Sequence, residues 1–224
     1  MLETVKALIK SMPAIGPQLA NLRNPFKGSW DYWERRYSAG GNSGDGSYGR
    51  LAEFKAGFLN GFVEEHHVSS VIEYGSGDGA QLRLARYPNY TGIDVSPTAV
   101  KICREHFTGD SSKRFFHTDA IPEGTTGDLA LSIDVIYHLI EDAVFEVYMR
   151  QMFDSAQRFV IVYSSDIDQD WPKKHVRHRQ FTKWITENRP EWSLQSFVKN
   201  PYPFDVADQR NTSFADFYIF GHRA

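Results

Sequence analysis

Apolar and polar positions follow two different rhythms along the chain after residue 50. Apolar residues that recur every three or four positions, such as Phe54, Phe58 and Phe62, predict amphipathic helices. Short, nearly unbroken apolar runs lie between them and predict strands buried on both faces. The predicted helices are "RLAEFKAGFLNGFVEEH", "GAQLRLARY", "TAVKICREHF", "EDAVFEVYMRQMF" and "QFTKWITENR". The predicted strands are "SVIEY", "YTGIDV", "KRFFHTD", "GDLALSIDV" and "RFVIVYSS".

The order of these elements predicts the fold class. Strands that alternate with helices form a parallel, doubly wound sheet with helices on both faces. The last two apolar stretches, "WSLQSFV" and "SFADFYIFGH", have no helical pattern between or after them, and we expect an antiparallel pair there. The sequence therefore predicts an α/β fold with a mostly parallel sheet of about seven strands and an antiparallel C-terminal strand.

The first 50 residues differ from the rest in composition. Residues 1–20 are apolar but interrupted by charges, which favours an amphipathic helix packed on the domain or a partner over a signal peptide. Residues 28–50 combine aromatic rings with flexible glycines, as suits a segment that folds over a ligand but also a surface loop. We therefore divide the chain into an N-terminal helical and glycine-aromatic lid segment, residues 1–50, and one α/β domain, residues 51–224.

Composition narrows the class of protein. The hydrophobic content of 41% and the charged content of 24% are those of an ordinary globular protein. A net charge of −3 does not favour a nucleic-acid partner. Cys103 is the only cysteine, which excludes a disulfide framework within the chain. The sequence holds no apolar run long enough to span a membrane, and we expect a cytoplasmic location.

The stretch "VIEYGSGDGAQL" indicates a nucleotide-binding turn. Gly75, Gly77 and Gly79 follow a predicted strand, where missing side chains let the backbone approach a ligand. Asp94 ends the next strand, where its carboxylate can accept hydrogen bonds from two ribose hydroxyls. Read as G-x-G-x-x-A with Ala80, the turn also matches the dinucleotide fingerprint. The glycines alone leave a nicotinamide dinucleotide and S-adenosylmethionine both open.

Three further features favour S-adenosylmethionine. Glu73 lies two residues before Gly75, where a carboxylate would repel a pyrophosphate but attract a cofactor that carries an ammonium group. Asp119 ends the third predicted strand, where it can accept a hydrogen bond from the amino group of an adenine. The antiparallel end of the sheet is not what a parallel dinucleotide domain requires.

The motifs "VIEYGSGDG", "TGIDVS", "FHTDA" and "LALSIDVIYHL" resemble, in order and spacing, the cofactor motifs of class I S-adenosylmethionine-dependent methyltransferases. The resemblance covers roughly residues 69–164 and implies a Rossmann-like fold, S-adenosylmethionine as the cofactor and residues 51–224 as the methyltransferase domain. It implies that the methionine part is contacted by Glu73, Gly75 and Gly77, with Ser76 and Gly79 in the same turn. The ribose would be bound by Asp94, and the adenine would be contacted by Val95, Asp119 and Ala120. The sulfonium would lie close to Ser132 to Asp134.

The acceptor of the methyl group is expected beyond the fourth and fifth strands. Methyl transfer is an in-line displacement for which the protein supplies alignment and, for some acceptors, a base. Tyr137 and His138 follow the fourth strand as candidate catalytic residues, and His138 could take a proton from a hydroxyl at neutral pH. A histidine that caps a helix or bonds to a carbonyl is the alternative. No Asn-Pro-Pro-Tyr-like motif follows that strand, which weighs against enzymes that methylate DNA or protein glutamine.

A basic cluster follows the fifth strand in "WPKKHVRHRQFTKW". Arginine forks match phosphate and carboxylate groups, so the cluster predicts a site for an anionic acceptor, with a solvated helix start as the alternative. No carboxylate sits at a matching spacing beside the two histidines, and we expect no metal site. The candidate acceptor-binding residues are Tyr37, Tyr48 and Arg50 in the lid segment and His175, Arg177, His178 and Arg179 in the cluster.

We therefore predict an O-methyltransferase that uses S-adenosylmethionine and a small polar acceptor, anionic or phosphorylated and of sugar type. Three alternatives stay open at this stage. They are a nicotinamide-dependent oxidoreductase, a non-catalytic binding module with the same fold, and a nucleic-acid methyltransferase, which the net charge does not favour.

Overall fold

The computed structural model describes residues 26–223, so the amphipathic helix expected over residues 1–20 lies outside the described residues. The strands are β1 (Val71–Tyr74), β2 (Tyr90–Asp94), β3 (Lys113–His117), β4 (Gly127–Ile133), β5 (Ala156–Ser164), β6 (Gln169–Asp170), β7 (Arg177–His178), β8 (Trp192–Val198) and β9 (Asp216–His222). The helices are α1 (Ser29–Ser38), α2 (Gly49–Glu65), α3 (Pro97–His106), α4 (Asp142–Ser155) and α5 (Phe181–Asn188).

Seven of the strands form one sheet in the order β3-β2-β1-β4-β5-β9-β8. The first five strands pair in parallel, whereas β9 runs antiparallel to both β5 and β8. The short strands β6 and β7 pair separately. This architecture confirms the predicted Rossmann-like sheet with an antiparallel C-terminal strand.

The core lies on both faces of the sheet. On one face, Leu59 and Val63 of α2 and Val100 of α3 pack against the strands. On the other face, Met149 of α4 and Phe181 of α5 fill the corresponding layer. The near-continuous apolar strands thus bury both of their faces, as parallel strands do in doubly wound folds. No helix of residues 26–223 has the length and apolar character needed to cross a membrane.

One predicted helix is wrong. The stretch "GAQLRLARY" forms only a short 3₁₀ helix, Gln81–Leu84, and then an extended backbone at Ala85. The side chain of Asn60 in α2 explains the difference, because its amide donates to the Leu84 carbonyl at 2.9 Å and accepts from the Arg86 N–H at 2.7 Å. These bonds take backbone groups that a longer helix would use internally.

The strand order places three carboxyl ends together. Strand β1 has β2 on one side and β4 on the other. The chain therefore builds the sheet outward from β1 in one direction through β2 and β3, and in the opposite direction from β4 onward. Ligands of open α/β sheets bind at such a switch point. At this edge Ser96 begins α3, with its hydroxyl accepting from the Ala99 N–H at 3.0 Å and Pro97 in the first turn.

Candidate active site

A cavity of about 610 Å³ lies over the carboxyl ends of β1, β2 and β4, under helix α1. It brings together eleven of the residues that the sequence predicts for the site, and these are Tyr37, Glu73, Gly75, Ser76, Gly77, Asp94, Val95, Asp119, Ile133, Asp134 and His138. Ten other candidates do not line it, and these are Tyr48, Arg50, Gly79, Ala120, Ser132, Tyr137, His175, Arg177, His178 and Arg179.

The glycine turn requires its glycines for two reasons. Gly75 and Gly77 have φ angles of 85° and 56°, in the left-handed region that other residues resist. A Cβ atom on Gly75 would lie 2.4 Å from Val135 Cγ2, and one on Gly77 would lie 2.3 Å from Ser43 Oγ. The turn therefore packs directly against the segment after β4 and against the lid segment.

Asp94 is fixed by the backbone around it. Its Oδ2 accepts a hydrogen bond from the Gly77 N–H at 2.8 Å, and its Oδ1 accepts one from the Ser96 N–H at 2.8 Å. Burial raises the pKa of this carboxyl to about 6, although the backbone N–H groups act in the opposite direction. Each oxygen keeps a lone pair for a ligand in the cavity.

Glu73 is a buried carboxyl beside the same turn. Its Oε2 accepts a hydrogen bond from the Tyr90 hydroxyl at 2.5 Å. Burial raises the pKa of Glu73 to about 7, against the lowering effects of Tyr90 and of the nearby Lys55 ammonium. A cation bound in the cavity would favour the charged form of this group.

Lys55 is the functional candidate that the sequence analysis missed. Its side chain is 1% exposed, and its ammonium donates to Asp134 Oδ2 at 2.5 Å where both residues line the cavity. Asp134 has a φ of 61°, and its Oδ1 accepts from the Tyr137 hydroxyl at 2.7 Å. The signal was present, because Lys55 falls between Leu51 and Leu59 on the apolar face of α2.

Helix α1 is held over the cavity at two points, through Ser29 at its first residue and through Glu34 near its middle. Ser29 N donates to Glu141 Oε1 at 2.9 Å, and Ser29 Oγ lies 2.7 Å from Glu141 Oε2. The Glu34 carboxylate accepts from the hydroxyls of Ser96 and Thr98, both at 2.6 Å, at the start of α3. The helix therefore spans from the segment after β4 to the segment after β2.

The rest of the lid segment closes on the glycine turn. The hydroxyls of Tyr37 and Ser43 lie 3.0 Å apart. Asp78 accepts from Ser43 N at 3.0 Å and from Ser43 Oγ at 2.7 Å, and more distantly from the Tyr48 hydroxyl at 3.4 Å. Tyr48 thus binds the turn from outside the cavity, and Arg50 instead donates to the Asn211 carbonyl at 2.8 Å.

His138 faces the cavity with one free nitrogen. Its Nδ1 lies 2.8 Å from the backbone oxygen of His175, and since a carbonyl only accepts, Nδ1 carries the proton. Nε2 makes no hydrogen bond within residues 26–223. The ring of Trp33 meets the imidazole edge-on, with centroids 4.9 Å apart. Burial lowers the pKa of His138 to about 4, so the imidazole is neutral at pH 7.

The basic cluster does not reach the cavity. Arg179 donates to the carbonyls of Leu139 and Ile140 at 3.0 and 2.9 Å and to Asp142 at 2.6 Å. Arg177 binds the same Ile140 carbonyl and Asp142, both at 3.0 Å. These arginines hold the segment after β4 against the start of α4.

The two histidines of the cluster are also engaged elsewhere. The His175 ring stacks on Tyr32 of α1 with centroids 4.3 Å apart. His178 Nδ1 lies 2.6 Å from the hydroxyl of Ser165, among the rings of Trp171 and Phe214. The part of the chain that the structure describes contains no cluster of histidine, cysteine and acidic side chains suited to a metal ion.

The fold and the cavity at the glycine turn define a class I S-adenosylmethionine-dependent methyltransferase. A family model described as a methyltransferase domain matches residues 48–205, and the chain belongs to this family, whose cofactor is S-adenosylmethionine. A search of curated proteins found no match.

Two solved structures illustrate the likeness in fold. The N-methyltransferase NodS from Bradyrhizobium japonicum WM9, in complex with S-adenosyl-L-homocysteine, has a TM-score of 0.66 and 16% identity, with 88% of this chain and 100% of that chain covered. Magnesium protoporphyrin IX methyltransferase, ChlM, from Synechocystis PCC 6803 with bound S-adenosylmethionine has a TM-score of 0.58 and 17% identity, covering 87% and 91%. At these identities the comparison supports the fold alone.

Proposed function

We propose that the protein transfers the methyl group of S-adenosylmethionine to a hydroxyl oxygen of a small molecule bound beside His138. The observation that carries this proposal is the state of the His138 ring, which lines the cavity while the His175 carbonyl holds its Nδ1 proton. The neutral ring offers Nε2 as a hydrogen-bond acceptor. A hydroxyl at that position is oriented by Nε2 and can give up its proton to it.

The charged side chains that line the cavity favour one orientation of the bound cofactor. The methionine part carries an ammonium and a carboxylate, which match the carboxylate of Glu73 and the ammonium of Lys55. The ribose hydroxyls then reach Asp94, and the adenine amino group reaches Asp119, whose side chain is 89% exposed. In this direction the sulfonium methyl points to the segment after β4, which contains His138.

The reaction is a single displacement. A bond forms between the acceptor oxygen and the methyl carbon while the carbon–sulfur bond breaks and sulfur keeps its electron pair. The hydroxyl proton passes to His138 Nε2 and from there to water. Because burial lowers the pKa of His138 to about 4, the ring is ready to accept a proton at neutral pH but is a weak base. A base of this strength accepts the hydroxyl proton while the bond between the oxygen and the methyl carbon forms.

The contacts of the basic cluster favour an uncharged acceptor over the expected anionic or phosphorylated sugar type. Arg177 and Arg179 donate to Asp142 and to backbone carbonyls, so an anion would have to displace bonds that the fold already makes. We also propose that residues 26–50, the described part of the lid segment, cover the bound cofactor through the contacts of Ser43 with Asp78.

Variants of His138 test this function. Production of S-adenosylhomocysteine is measured with a panel of small hydroxyl compounds, and the methylated atom is identified by NMR. His138→Ala should lower kcat by about 10²–10⁴-fold, the usual contribution of a positioned base, with little change in cofactor Kd. His67→Ala, in an exposed turn between α2 and β1, is the matched control. An unchanged rate in His138→Ala, or a product methylated on nitrogen, would contradict the proposal.

A further inference from the structure

We propose that the acceptor is an uncharged aromatic hydroxyl compound of the phenol class, with its ring against Trp33 and its hydroxyl on His138 Nε2. This inference rests on the proposed function, because it names the substrate class of the same site. It depends on three features around His138: the rings, the hydrogen bonds that are already made, and the placement of charge.

Aromatic rings pack around the imidazole of His138. The centroids of Trp33 and Tyr137 lie 4.9 and 4.6 Å from that of His138, both in edge-on contact, and His175 lies parallel at 5.8 Å. Trp33 lines the cavity together with His138. Aromatic partners in such geometries add specific attraction beyond the burial of their area. A planar ring bound in the cavity beside His138 would meet the ring of Trp33, whereas Tyr137 and His175 lie outside the lining.

Two polar side chains near His138 are already engaged in hydrogen bonds within the protein. Both oxygens of Glu141 bind Ser29, at 2.9 and 2.7 Å. The Tyr137 hydroxyl donates to Asp134 at 2.7 Å. Nε2 of His138 makes no hydrogen bond within residues 26–223 and is free to accept one from the acceptor. A compound with one hydroxyl on an apolar body is satisfied by this one partner, whereas a sugar needs a further partner for each of its other hydroxyls.

Two charged side chains near this part of the cavity are paired within the protein, and the Glu141 carboxylate in the lining would repel an anion. Asp31 pairs with Arg35 at 2.9 Å, and Lys55 pairs with Asp134 on the cofactor side. Lys27 lines the cavity but is exposed at its rim, where water screens its charge. An anionic acceptor beside His138 would lose its hydration without gaining a buried cation.

The wall that carries Trp33 is preorganised. Glu34, the next residue, accepts two hydroxyl bonds at the start of α3, and Ser29 ties the start of α1 to Glu141. A ring held in place before binding loses little entropy when a ligand arrives. Phenols are also more acidic than alkanols, so their proton transfers more readily to a weak base such as His138.

A matched acceptor panel tests the substrate class. The full-length protein is supplied with S-adenosylmethionine and phenol, 2-naphthol, cyclohexanol, aniline, benzoate, glucose or glucose 6-phosphate, and S-adenosylhomocysteine and methylated product are quantified. Phenol or 2-naphthol should be O-methylated at least tenfold faster than every other compound. Cyclohexanol controls for the planar ring, aniline for the oxygen and benzoate for the charge.

Variants of Trp33 test whether this side chain causes the preference for phenolic acceptors. Trp33→Leu should raise KM for the better phenolic acceptor about three- to tenfold, the range expected for loss of one aromatic contact. Trp33→Phe should recover much of that loss. The Kd of S-adenosylhomocysteine, measured for both variants, reports whether α1 still covers the cavity, and the effect on KM is compared only at equal cofactor affinity.

The outcomes separate this proposal from the function on which it rests. Faster methylation of cyclohexanol, benzoate or either sugar overturns the phenol class while transfer to oxygen stands, whereas faster methylation of aniline overturns both. Cofactor binding without turnover of either phenolic compound overturns it as well. Failure to bind S-adenosylmethionine would instead overturn the proposed function. An equal KM in Trp33→Leu and the wild type would remove Trp33 from acceptor recognition.

Discussion

The ammonium group of Lys55 donates a hydrogen bond to the carboxylate of Asp134 over 2.5 Å, at the wall of the cavity. A lysine with 1% of its side chain exposed is stable in a helix only with such a partner. The pair joins α2 to the segment after β4, and it lies close enough to Glu73 to influence the pKa of that carboxyl. The charges that we propose for cofactor binding therefore also stabilise the fold.

Removal of Lys55 should cost both stability and cofactor affinity. Lys55→Met leaves the partly buried Asp134 without its cation, and the free energy of unfolding should fall by about 3 kcal/mol, near the low end for buried pairs. The Kd of S-adenosylhomocysteine should rise at least tenfold. Lys101→Met is the control, because its partner Glu105 and Lys101 itself are exposed. Urea unfolding and calorimetry measure both quantities, and similar losses in the two variants would refute a special role for Lys55.

The unliganded protein should lose stability as pH rises through the range of about 4 to 7. Burial raises the pKa of Glu73 to about 7 and that of Asp94 to about 6, so the folded state favours their protonated forms. Their stabilising contribution is complete below the unfolded pKa values and is lost as pH passes the folded values. For Glu73 the change from 4.5 to about 7 corresponds to about 3 kcal/mol.

The variant Glu73→Gln isolates this effect. It should flatten the pH dependence of unfolding and leave the unliganded protein more stable than the wild type at pH 8, while it weakens the binding of S-adenosylmethionine. Glu123→Gln, in an exposed loop, is the matched control. Equal slopes of stability against pH in wild type and Glu73→Gln would show that this carboxyl is not strained by burial.

Gly77→Ala should damage the cofactor turn. The new Cβ atom would lie 2.3 Å from Ser43 Oγ at a φ of 56°, so both the lid contact and the backbone resist it. We expect a loss of about 1–2 kcal/mol in stability, the cost of a left-handed residue with a side chain, and a large rise in cofactor Kd. Gly57→Ala lies within α2 with open space around it and should instead stabilise by about 0.5–1 kcal/mol. Circular dichroism melts and calorimetry distinguish the two.

The arginines of the basic cluster should behave as structural residues. Arg179→Gln removes bonds to the carbonyls of Leu139 and Ile140 and should lower stability by about 2 kcal/mol. Arg177 is more exposed, so Arg177→Gln should change the equilibrium constant of unfolding by less than twofold. The KM of the acceptor should also change by less than twofold. A tenfold rise in KM for Arg177→Gln without loss of stability would restore the anionic acceptor site.

The sequence predicted the sheet and much of the cavity because both depend on strand ends. Asp94 and Asp119 end their predicted strands, so a parallel sheet brings them to one edge whatever the loops do. The same reasoning placed His138, although only the structure shows which nitrogen is free. Local position was sufficient for these residues.

Tertiary partners decided the features that sequence reasoning missed. The helix expected at "GAQLRLARY" stops because Asn60, some twenty residues earlier in α2, takes its backbone groups. Arg179 looked free for an anion, but Asp142 and two carbonyls of the segment after β4 occupy it. The partner of Lys55 is Asp134, which follows β4 and lies 79 residues away along the chain. Such partners cannot be read from spacing along the chain.

A crystal structure with S-adenosylhomocysteine tests the central claim most directly. The account predicts the homocysteine part beside Glu73 and Lys55, the adenine beside Asp119, and open space between the sulfur and His138 Nε2. An adenine stacked on Trp33, or a sulfur that points away from His138, would contradict it.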